Sequence, residues 1–316
     1  MSAARAFGLL LGVAADGALG DPAHWHPVAG FGQASQRLEQ VVYRDDKAAG
    51  ALYTAVLTGA TVLLGVAVER VGRRNPVLQV VGTAVATWAV LGGRSLAEQG
   101  AAIGRELDAG AVQAARERLP SLCGRDPGSL DLTALARAAV ESVAENTSDA
   151  VVAPLVWGAV AGVPGLLGYR AVNTLDAMIG YRTPRYRRFG WAAARLDDLV
   201  NFAPARLAAA LTVLSAPVVG GSARGAWSAW RRDAAAHPSP NAGQVEAAFA
   251  GALEVRLGGR TVYPHGVEHR PVLGDGRVPD SGHVTRAVEL SRVVGGLTAI
   301  VAALVALLRR RRRRRR

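Results

Sequence analysis

The chain has 316 residues, half of them hydrophobic, and a mean hydropathy of +0.17. This composition excludes a disordered chain, which would be poorer in apolar residues, and the single cysteine, Cys123, excludes an intrachain disulfide. The net charge of +12 includes eight consecutive arginines at 309–316, so it does not indicate nucleic-acid binding, and no nucleic-acid partner is expected.

Long uncharged stretches along the chain predict membrane-spanning helices. A helix needs about 20 mostly apolar residues to cross a bilayer, and the best candidates are 50–68, 76–93 and 293–308 with its flanks. The alternative, a soluble helical bundle, requires a polar face that 50–68 lacks. A short arginine-rich loop joins the first two stretches and predicts a helical hairpin. Residues 6–20 are expected to be a retained first segment.

Two further apolar stretches are interrupted by prolines. Pro154 and Pro164 lie within 150–168, and two prolines lie within 203–221. Broken apolar segments are tolerated where the backbone lines a cavity that is wet or buried in protein. These two stretches are therefore imperfect candidates for spans.

The remaining stretches are polar and predict a mainly α protein. They are 94–149, 169–202 and 222–289. The first two are helical in pattern, whereas the third becomes rich in glycine and proline from Gly258 to Gly282, and no alternating pattern predicts a sheet. The sequence thus predicts a polytopic integral membrane helical protein with long polar helical loops. One domain is expected over 1–308, followed by a poly-arginine tail at 309–316.

The run ESVAENTSD at 141–149 is the first candidate for chemistry. A helix is predicted to begin near Asp131, which can cap it, and Glu141 and Glu145 then lie one turn apart on the face that carries Arg137. Carboxylates in this arrangement suit a hard cation such as Mg²⁺. The alternative is a solvated acidic face paired with Arg137. The catalytic candidates are Glu141, Glu145, Asn146 and Asp149.

Two other runs combine carboxylates, amides and arginines. Carboxylates can hold a metal ion while guanidinium groups hold phosphate oxygens, although such pairs also occur as surface ion pairs. A further helix is predicted from about Ala242, with Asn241 as its cap, and its N-terminus could bind an anion. The metal candidates are Asp197, Asp198 and Asn201; the substrate-binding candidates are Asn173, Asp176, Arg182, Arg195, Arg206 and Asn241.

Six runs together resemble one enzyme family. They are GDPAHWHPV, GRD, ESVAENTSD, YRAVNTLDAMIGYR, YRRFGWAAARLDDLVNFAPAR and SPNAGQVEAAFAGALEVRLGG. In this order they resemble the adenosylcobinamide-phosphate synthase family of cobalamin biosynthesis, over most of residues 8–265. Cys123 stands where the family usually has an aliphatic residue, which favours a packing role for the thiol. The arginine tail has no counterpart in the family.

The resemblance implies an ATP-dependent ligase in the cell membrane. Such an enzyme joins aminopropanol or its phosphate to a propionate side chain of adenosylcobyric acid, and ATP and Mg²⁺ are the expected cofactors. Activation of the carboxylate, most simply as an acyl phosphate, and removal of a proton from the amine would use the acidic clusters and the arginines. The only lysine, Lys47, lies in no P-loop motif, so the cluster that holds ATP is left open. Other partners implied are the lipid bilayer and other enzymes of the cobalamin pathway.

Two other functions fit parts of the sequence. The runs NTLD and DDLVN are similar to the paired aspartate-rich motifs of membrane prenyltransferases, but the apolar spans are few for that class. A non-enzymatic membrane sensor related to the β-lactamase-induction signalling proteins would lack the acidic clusters that this chain retains.

The site is expected on the cytoplasmic side of the membrane. The terminal arginines favour a cytoplasmic C-terminus, and the substrates are cytoplasmic. If 150–168 crossed the membrane once, the clusters on either side of it would be separated. We therefore expect 150–168 to be a re-entrant or buried hairpin, 203–221 not to span, and 290–308 to lie along or dip into the cytoplasmic leaflet.

Overall fold

The structure is a computed structural model that describes residues 2–22, 26–128, 130–263 and 266–314, with 262–263, 266–268 and 309–314 as backbone only. Its helices are α1 (Ser2–Leu19), α2 (Pro27–Val42), α3 (Lys47–Gly72), α4 (Pro76–Val90), α5 (Gly93–Asp108), α6 (Val112–Arg118), α7 (Leu132–Asn146), α8 (Ala153–Ala161), α9 (Val163–Ile179), α10 (Tyr186–Phe189), α11 (Trp191–Val200), α12 (Phe202–Ser215), α13 (Ala223–Asp233), α14 (Ala242–Leu253) and α15 (Ser281–Arg314). A π-helical turn occupies Thr147–Val152, and 3₁₀ turns occupy Leu119–Ser121, Ala216–Val219 and Ala234–Ala236.

Five segments in the described part of the chain are long and apolar enough to cross a membrane. They are Ser2–Leu19, Lys47–Gly72, Pro76–Asp108, Phe202–Val219 and Ser281–Leu308. The structure thereby confirms the prediction of a mainly α polytopic membrane protein. The segment 203–221 nearly coincides with the fourth of these, and its expected non-spanning position stays a prediction.

The segment 150–168 is not one of these five, because the helix breaks inside it. Gly162 has a φ of +73°, a left-handed conformation that favours glycine, and it separates α8 from α9. The buried carboxylate of Glu69 accepts a hydrogen bond from the backbone N–H of Val163 (3.2 Å) and forms an ion pair with Arg5 at 2.5 Å. The interruption therefore has its own partners, as expected for a broken segment buried in protein.

The chain forms two compact units, each built from several stretches of sequence. Unit 1 comprises 1–92, 153–201 and 298–316, and unit 2 comprises 93–152 and 202–297. Neither unit is one continuous segment, and the expected single domain over 1–308 stays a prediction.

Unit 1 is held together by closely packed helices. α1 lies against α4 and α3 lies against α9, and the α-carbon of Gly65 faces the backbone of Pro164 so closely that a side chain would not fit. Small residues allow membrane helices to approach in this way. A buried cluster around Phe189, with Tyr53 and Leu175, anchors α10 to α3 and α9.

Unit 2 packs α14 against α7, α12 and α13. It also contains a two-stranded antiparallel sheet, β1 (Leu257–Tyr263) and β2 (Gly266–Leu273). This corrects the expectation of no sheet. The alternating pattern is obscured because the second and third residues of β1 are Gly258 and Gly259, both at positive φ, where the pairing register shifts.

Candidate active site

The helix α7 places the first acidic cluster. The side chain of Asp131 accepts a hydrogen bond from the backbone N–H of Ala134 (2.8 Å), so the predicted cap and helix start are confirmed. Glu141 and Glu145 follow one turn apart, as expected. Their surroundings are nevertheless very different.

Glu141 is buried and fully engaged. It is 2% exposed, forms an ion pair with Arg125, and accepts a hydrogen bond from the backbone N–H of Gly258 at 2.6 Å. For Glu141 the alternative of a solvated face paired with Arg137 is wrong, because this carboxylate is buried and the guanidinium of Arg137 donates instead to the carbonyl of Arg260 (2.9 Å). Glu141 thus joins the loop before α7 to the start of β1, and its predicted catalytic role stays a prediction.

Glu145 is exposed and has no hydrogen bond or ion pair with any residue that the structure describes. Although its side chain reaches solvent, the surrounding protein displaces water and raises its pKa, and the charge of Glu141 acts in the same direction. The guanidinium groups of Arg270 and Arg125 oppose this shift. A carboxylate with a raised pKa and no bonded partner is chemically suited to accept a proton.

Glu246, on α14, is a third carboxylate of this cluster. It is 2% exposed, and burial, together with the charges of Glu141 and Glu145, raises its pKa well above the usual value. Its Oε1 lies 3.7 Å from Nε2 of His237. Burial and the nearby charge of Arg270 lower the pKa of His237, and the Nη1 of Arg270 lies 3.5 Å from the same nitrogen.

The last two catalytic candidates lie at the end of α7. The amide of Asn146 donates to the carbonyl of Ser142 at 2.9 Å, and Asp149 lies in the π-helical turn. Thr147 begins this turn and hydrogen-bonds to Ser291 of α15 at 2.7 Å. π-Helical turns often occur at functional sites.

The candidates from 173 to 201 lie in unit 1. Asp197 accepts hydrogen bonds from the amides of Asn173 (3.4 Å) and Asn201 (3.0 Å), and the hydroxyl of Tyr169 donates to Asn201 at 2.9 Å. The contact between Asn173 and Asp197 therefore brings the runs NTLD and DDLVN together. The contact between Asp197 and Asn201 is the one that their spacing of four residues predicts. Asp198 points elsewhere and pairs with Arg195 at 3.4 Å.

Arg182, Arg195 and Asp198 line one cavity of unit 1. The carboxylate of Asp176, near the end of α9, lies so close to Gly180, another lining residue of this cavity, that a side chain at Gly180 would not fit. These four candidates are thus grouped at the end of α9 and on α11.

Arg206 and Asn241 lie in unit 2 and meet at 3.4 Å, between Nη1 and Oδ1. Asn241 occupies the cap position of α14, but its side chain does not cap the helix. The hydroxyl of Ser239 accepts the hydrogen bond from the backbone N–H of Ala242 (3.1 Å) instead. The predicted cap is therefore wrong, because a turn places Ser239 closer to the free N–H group.

Asp197 and Asp198 differ in whether their carboxylates could bind Mg²⁺. Within the described ranges, no group of three or more His, Cys, Asp or Glu side chains could hold a metal ion. Both oxygens of Asp197 accept bonds from amides, whereas Asp198 lies beside arginines in a cavity. Mg²⁺ is commonly bound by one or two carboxylates together with substrate phosphates, and Asp198 fits that arrangement.

Comparison with known proteins decides the family. The sequence profile described as CobD/Cbib protein matches residues 9–291. The chain belongs to the CobD/Cbib family. Relatives named cobalamin biosynthesis protein CobD include one from Mycobacterium tuberculosis strain H37Rv, 60% identical with 95% of each chain covered. Another, from Rhodobacter capsulatus, is 43% identical with 87% of this chain and 88% of the relative covered. No solved structure matches the chain.

Membership of the CobD/Cbib family confirms the resemblance carried by the six runs. In this CobD/Cbib protein, sequence reasoning missed Glu246, His237 and Arg270. A signal for Glu246 was present, since it is the only charged residue in the helix Ala242–Leu253. A lone carboxylate in an otherwise uncharged buried helix is costly unless it has a purpose. Arg270 lies on a strand that the sequence did not predict.

Proposed function

We propose that this CobD/Cbib protein is an adenosylcobinamide-phosphate synthase. It would join aminopropanol or its phosphate to a propionate side chain of adenosylcobyric acid, with consumption of ATP. Family membership and relatives named for cobalamin biosynthesis support a role in that pathway. The five apolar segments support a membrane enzyme, and we place its active site on the cytoplasmic side of the cell membrane.

The observation that carries the proposal is the contrast within the acidic cluster of unit 2, defined as Glu141, Glu145 and Glu246. Two of these carboxylates are buried, and Glu145 alone is exposed without a bonded partner among the described residues. Amide formation requires a group that removes a proton from the attacking amine. Glu145 is the group in this cluster whose position and raised pKa suit that task.

The reaction is written in two steps. An oxygen of the substrate carboxylate attacks the γ-phosphorus of ATP, ADP leaves, and an acyl phosphate forms. The amine nitrogen then attacks the carbonyl carbon, Glu145 accepts the proton from nitrogen, and inorganic phosphate leaves with the carbon–oxygen electron pair. Arg270 and Arg125 oppose the rise in the pKa of Glu145, and their positive charge favours the ionised carboxylate that accepts the proton.

The substrates' groups are assigned to different residues. The acidic cluster lies beside the guanidinium groups of Arg125 and Arg270, and its exposed carboxylate, Glu145, would accept the proton of the amine. Asp198, beside arginines, would hold Mg²⁺, which would neutralise phosphate charge when bound. Asn173 and Asn201 hold the neighbouring Asp197 in place.

The proposal is tested with purified protein, ATP, Mg²⁺, adenosylcobyric acid and aminopropanol phosphate. Mass spectrometry is expected to detect the amide only when all components are present, and free aminopropanol is run in parallel. Transfer of an isoprenoid to an acceptor would support the prenyltransferase alternative instead. No turnover of either substrate set would favour the sensor.

A further inference from the structure

Unit 1 contains a cavity of about 460 Å³ that the acidic cluster does not use. It lies between the start of α3 and the segment 180–198, and we call it the basic pocket. Its charged lining residues are Lys47, Arg182, Arg187, Arg188, Arg195 and Asp198. Its volume falls within the range of about 300–1,000 Å³ that is typical of small-molecule sites.

The basic pocket carries a large excess of positive charge. Five cations and one carboxylate line it; Asp198 pairs with Arg195 at 3.4 Å, and Arg188 lies 3.9 Å from the carboxylate of Asp46, outside the lining. Arg182 and Arg187 have no acidic partner in the part of the chain that the structure describes. Positive charge without internal compensation favours an anion that carries several charges.

The wall of the basic pocket is anchored to the protein interior. The hydroxyl of Tyr186 donates to the buried carboxylate of Glu39 (3.1 Å), and the guanidinium of Arg185 donates to the same oxygen at 2.9 Å. Phe189, three residues after Tyr186, is buried in the core of unit 1. The short helix that carries Arg187 is thus fixed at both ends, so the pocket is preformed.

An aromatic ring completes the pocket. The ammonium of Lys47 lies 5.2 Å from the centre of the Trp191 ring, within the distance of a cation–π interaction. Trp191 is 45% exposed. This contact directs the only lysine of the chain toward the cavity.

We propose that the basic pocket binds the polyphosphate chain of a nucleoside triphosphate. The inference rests on the proposed function, which supplies ATP as the triphosphate. A phospholipid headgroup presents the same phosphate chemistry. It is the other possible source of phosphate here, because Lys47 begins a candidate span. A triphosphate chain offers three phosphates and therefore matches several neighbouring cations better than one phosphodiester does.

The single lysine permits a sharp experiment. An acyl-phosphate derivative of ATP acylates a nearby amine: the nitrogen bonds to the acyl carbon, the nucleotide leaves, and the amine proton goes to solvent. The full-length protein in detergent is treated with this probe, digested and analysed by mass spectrometry. We expect acylation of Lys47 that excess ATP or inorganic triphosphate suppresses at least tenfold, and that anionic vesicles of phosphatidylglycerol do not suppress.

Matched variants separate the basic pocket from general surface charge. Arg182→Gln combined with Arg187→Gln is expected to raise the probe concentration for half-maximal labelling about tenfold. Arg44→Gln, an exposed arginine outside the pocket, is expected to leave it unchanged. Equilibrium binding of radiolabelled ATP to the same three proteins is measured in parallel, and size-exclusion elution verifies that each is folded.

The results separate this inference from the proposed function. The inference would be overturned if Lys47 of the parent protein were not labelled and the double variant bound ATP as the parent does. It would also be overturned if phosphatidylglycerol, but not triphosphate, suppressed the labelling. If the amide forms while Lys47 labelling is insensitive to ATP, the pocket assignment fails and the function stands. If ATP protects Lys47 but no amide forms, the pocket stands as a triphosphate site and the proposed function fails.

Discussion

Glu141 and Glu145 lie one helical turn apart on α7, yet only Glu141 is bonded, to Arg125 and to the backbone N–H of Gly258. Glu145 is exposed at the edge of the same charged cluster. Adjacent carboxylates in different environments commonly have different roles. Here one carboxylate positions the surrounding structure, and the other is available for proton transfer.

Replacement of Glu145 by glutamine is expected to lower kcat about 100-fold or more, the usual contribution of a general base. The change keeps the size of the side chain but removes its ability to accept a proton. The rate of amide formation by detergent-purified protein is the measurement, with recovery from membranes as a check on insertion. Glu117→Gln, at an exposed position of unit 2, is the matched control and should retain activity. Near-normal turnover of the Glu145 variant would return this residue to a solvated surface role.

The Arg125–Glu141 pair is expected to behave as one unit in stability. Removal of one partner leaves an uncompensated buried charge, and each of Arg125→Met and Glu141→Gln should lower the free energy of unfolding by about 3–5 kcal/mol. The double variant should lose much less than the sum of the two single losses. Denaturant titration in micelles measures all four proteins. Additive losses would contradict a direct pair.

Glu246 is expected to make stability depend on pH. Its pKa in the folded protein lies well above the usual 4.5, so between these two values the folded state keeps a proton that the unfolded state releases. Stability therefore falls as pH rises through that window. Glu246→Gln should be more stable than the parent above the window, and this difference should vanish below about pH 4.

The measurement for Glu246 is the free energy of unfolding at several pH values, with Glu117→Gln as the exposed control that changes little. A stability difference that does not vary with pH would contradict the raised pKa of Glu246, because it would show that this carboxyl ionises alike in the folded and unfolded protein.

Membrane topology is tested by thiol labelling in a Cys123→Ala background. Single cysteines at Ser121, Thr183 and Ser239 stand on either side of 150–168 and of Phe202–Val219. If neither segment crosses the bilayer, an impermeant reagent should leave all three unlabelled in intact cells and label them after permeabilisation. Labelling of 183 without 121 in intact cells would show that 150–168 spans.

The sequence predicted the elements whose signals are local. The uncharged run at 50–68, the cap at Asp131 and the spacing of Asp197 and Asn201 all correspond to observed features. Each depends on residues within a few positions of one another, or on the composition of one helix.

The sequence did not predict contacts between distant residues. Arg125 is 16 positions before Glu141 and Gly258 is 117 positions after it. The burial of Glu141 therefore requires the loop before α7 and the strand β1 to fold against α7, which no local pattern indicates. Two glycines near the start of the hairpin that carries Arg270 interrupt the alternation of polar and apolar residues. Partner choice by arginines is equally non-local, as the contact of Arg137 with a backbone carbonyl illustrates.

Transfer of oxygen from the corrinoid carboxylate to phosphate distinguishes activation as an acyl phosphate from other routes to the amide. Adenosylcobyric acid labelled with ¹⁸O in the reacting carboxylate is incubated with ATP, Mg²⁺, aminopropanol phosphate and the protein. Activation as an acyl phosphate predicts one ¹⁸O atom in the inorganic phosphate for each amide formed, detected by mass spectrometry. An amide formed with no ¹⁸O in phosphate, or with ¹⁸O in AMP, would contradict that mechanism, and absence of the amide would contradict the proposed function itself.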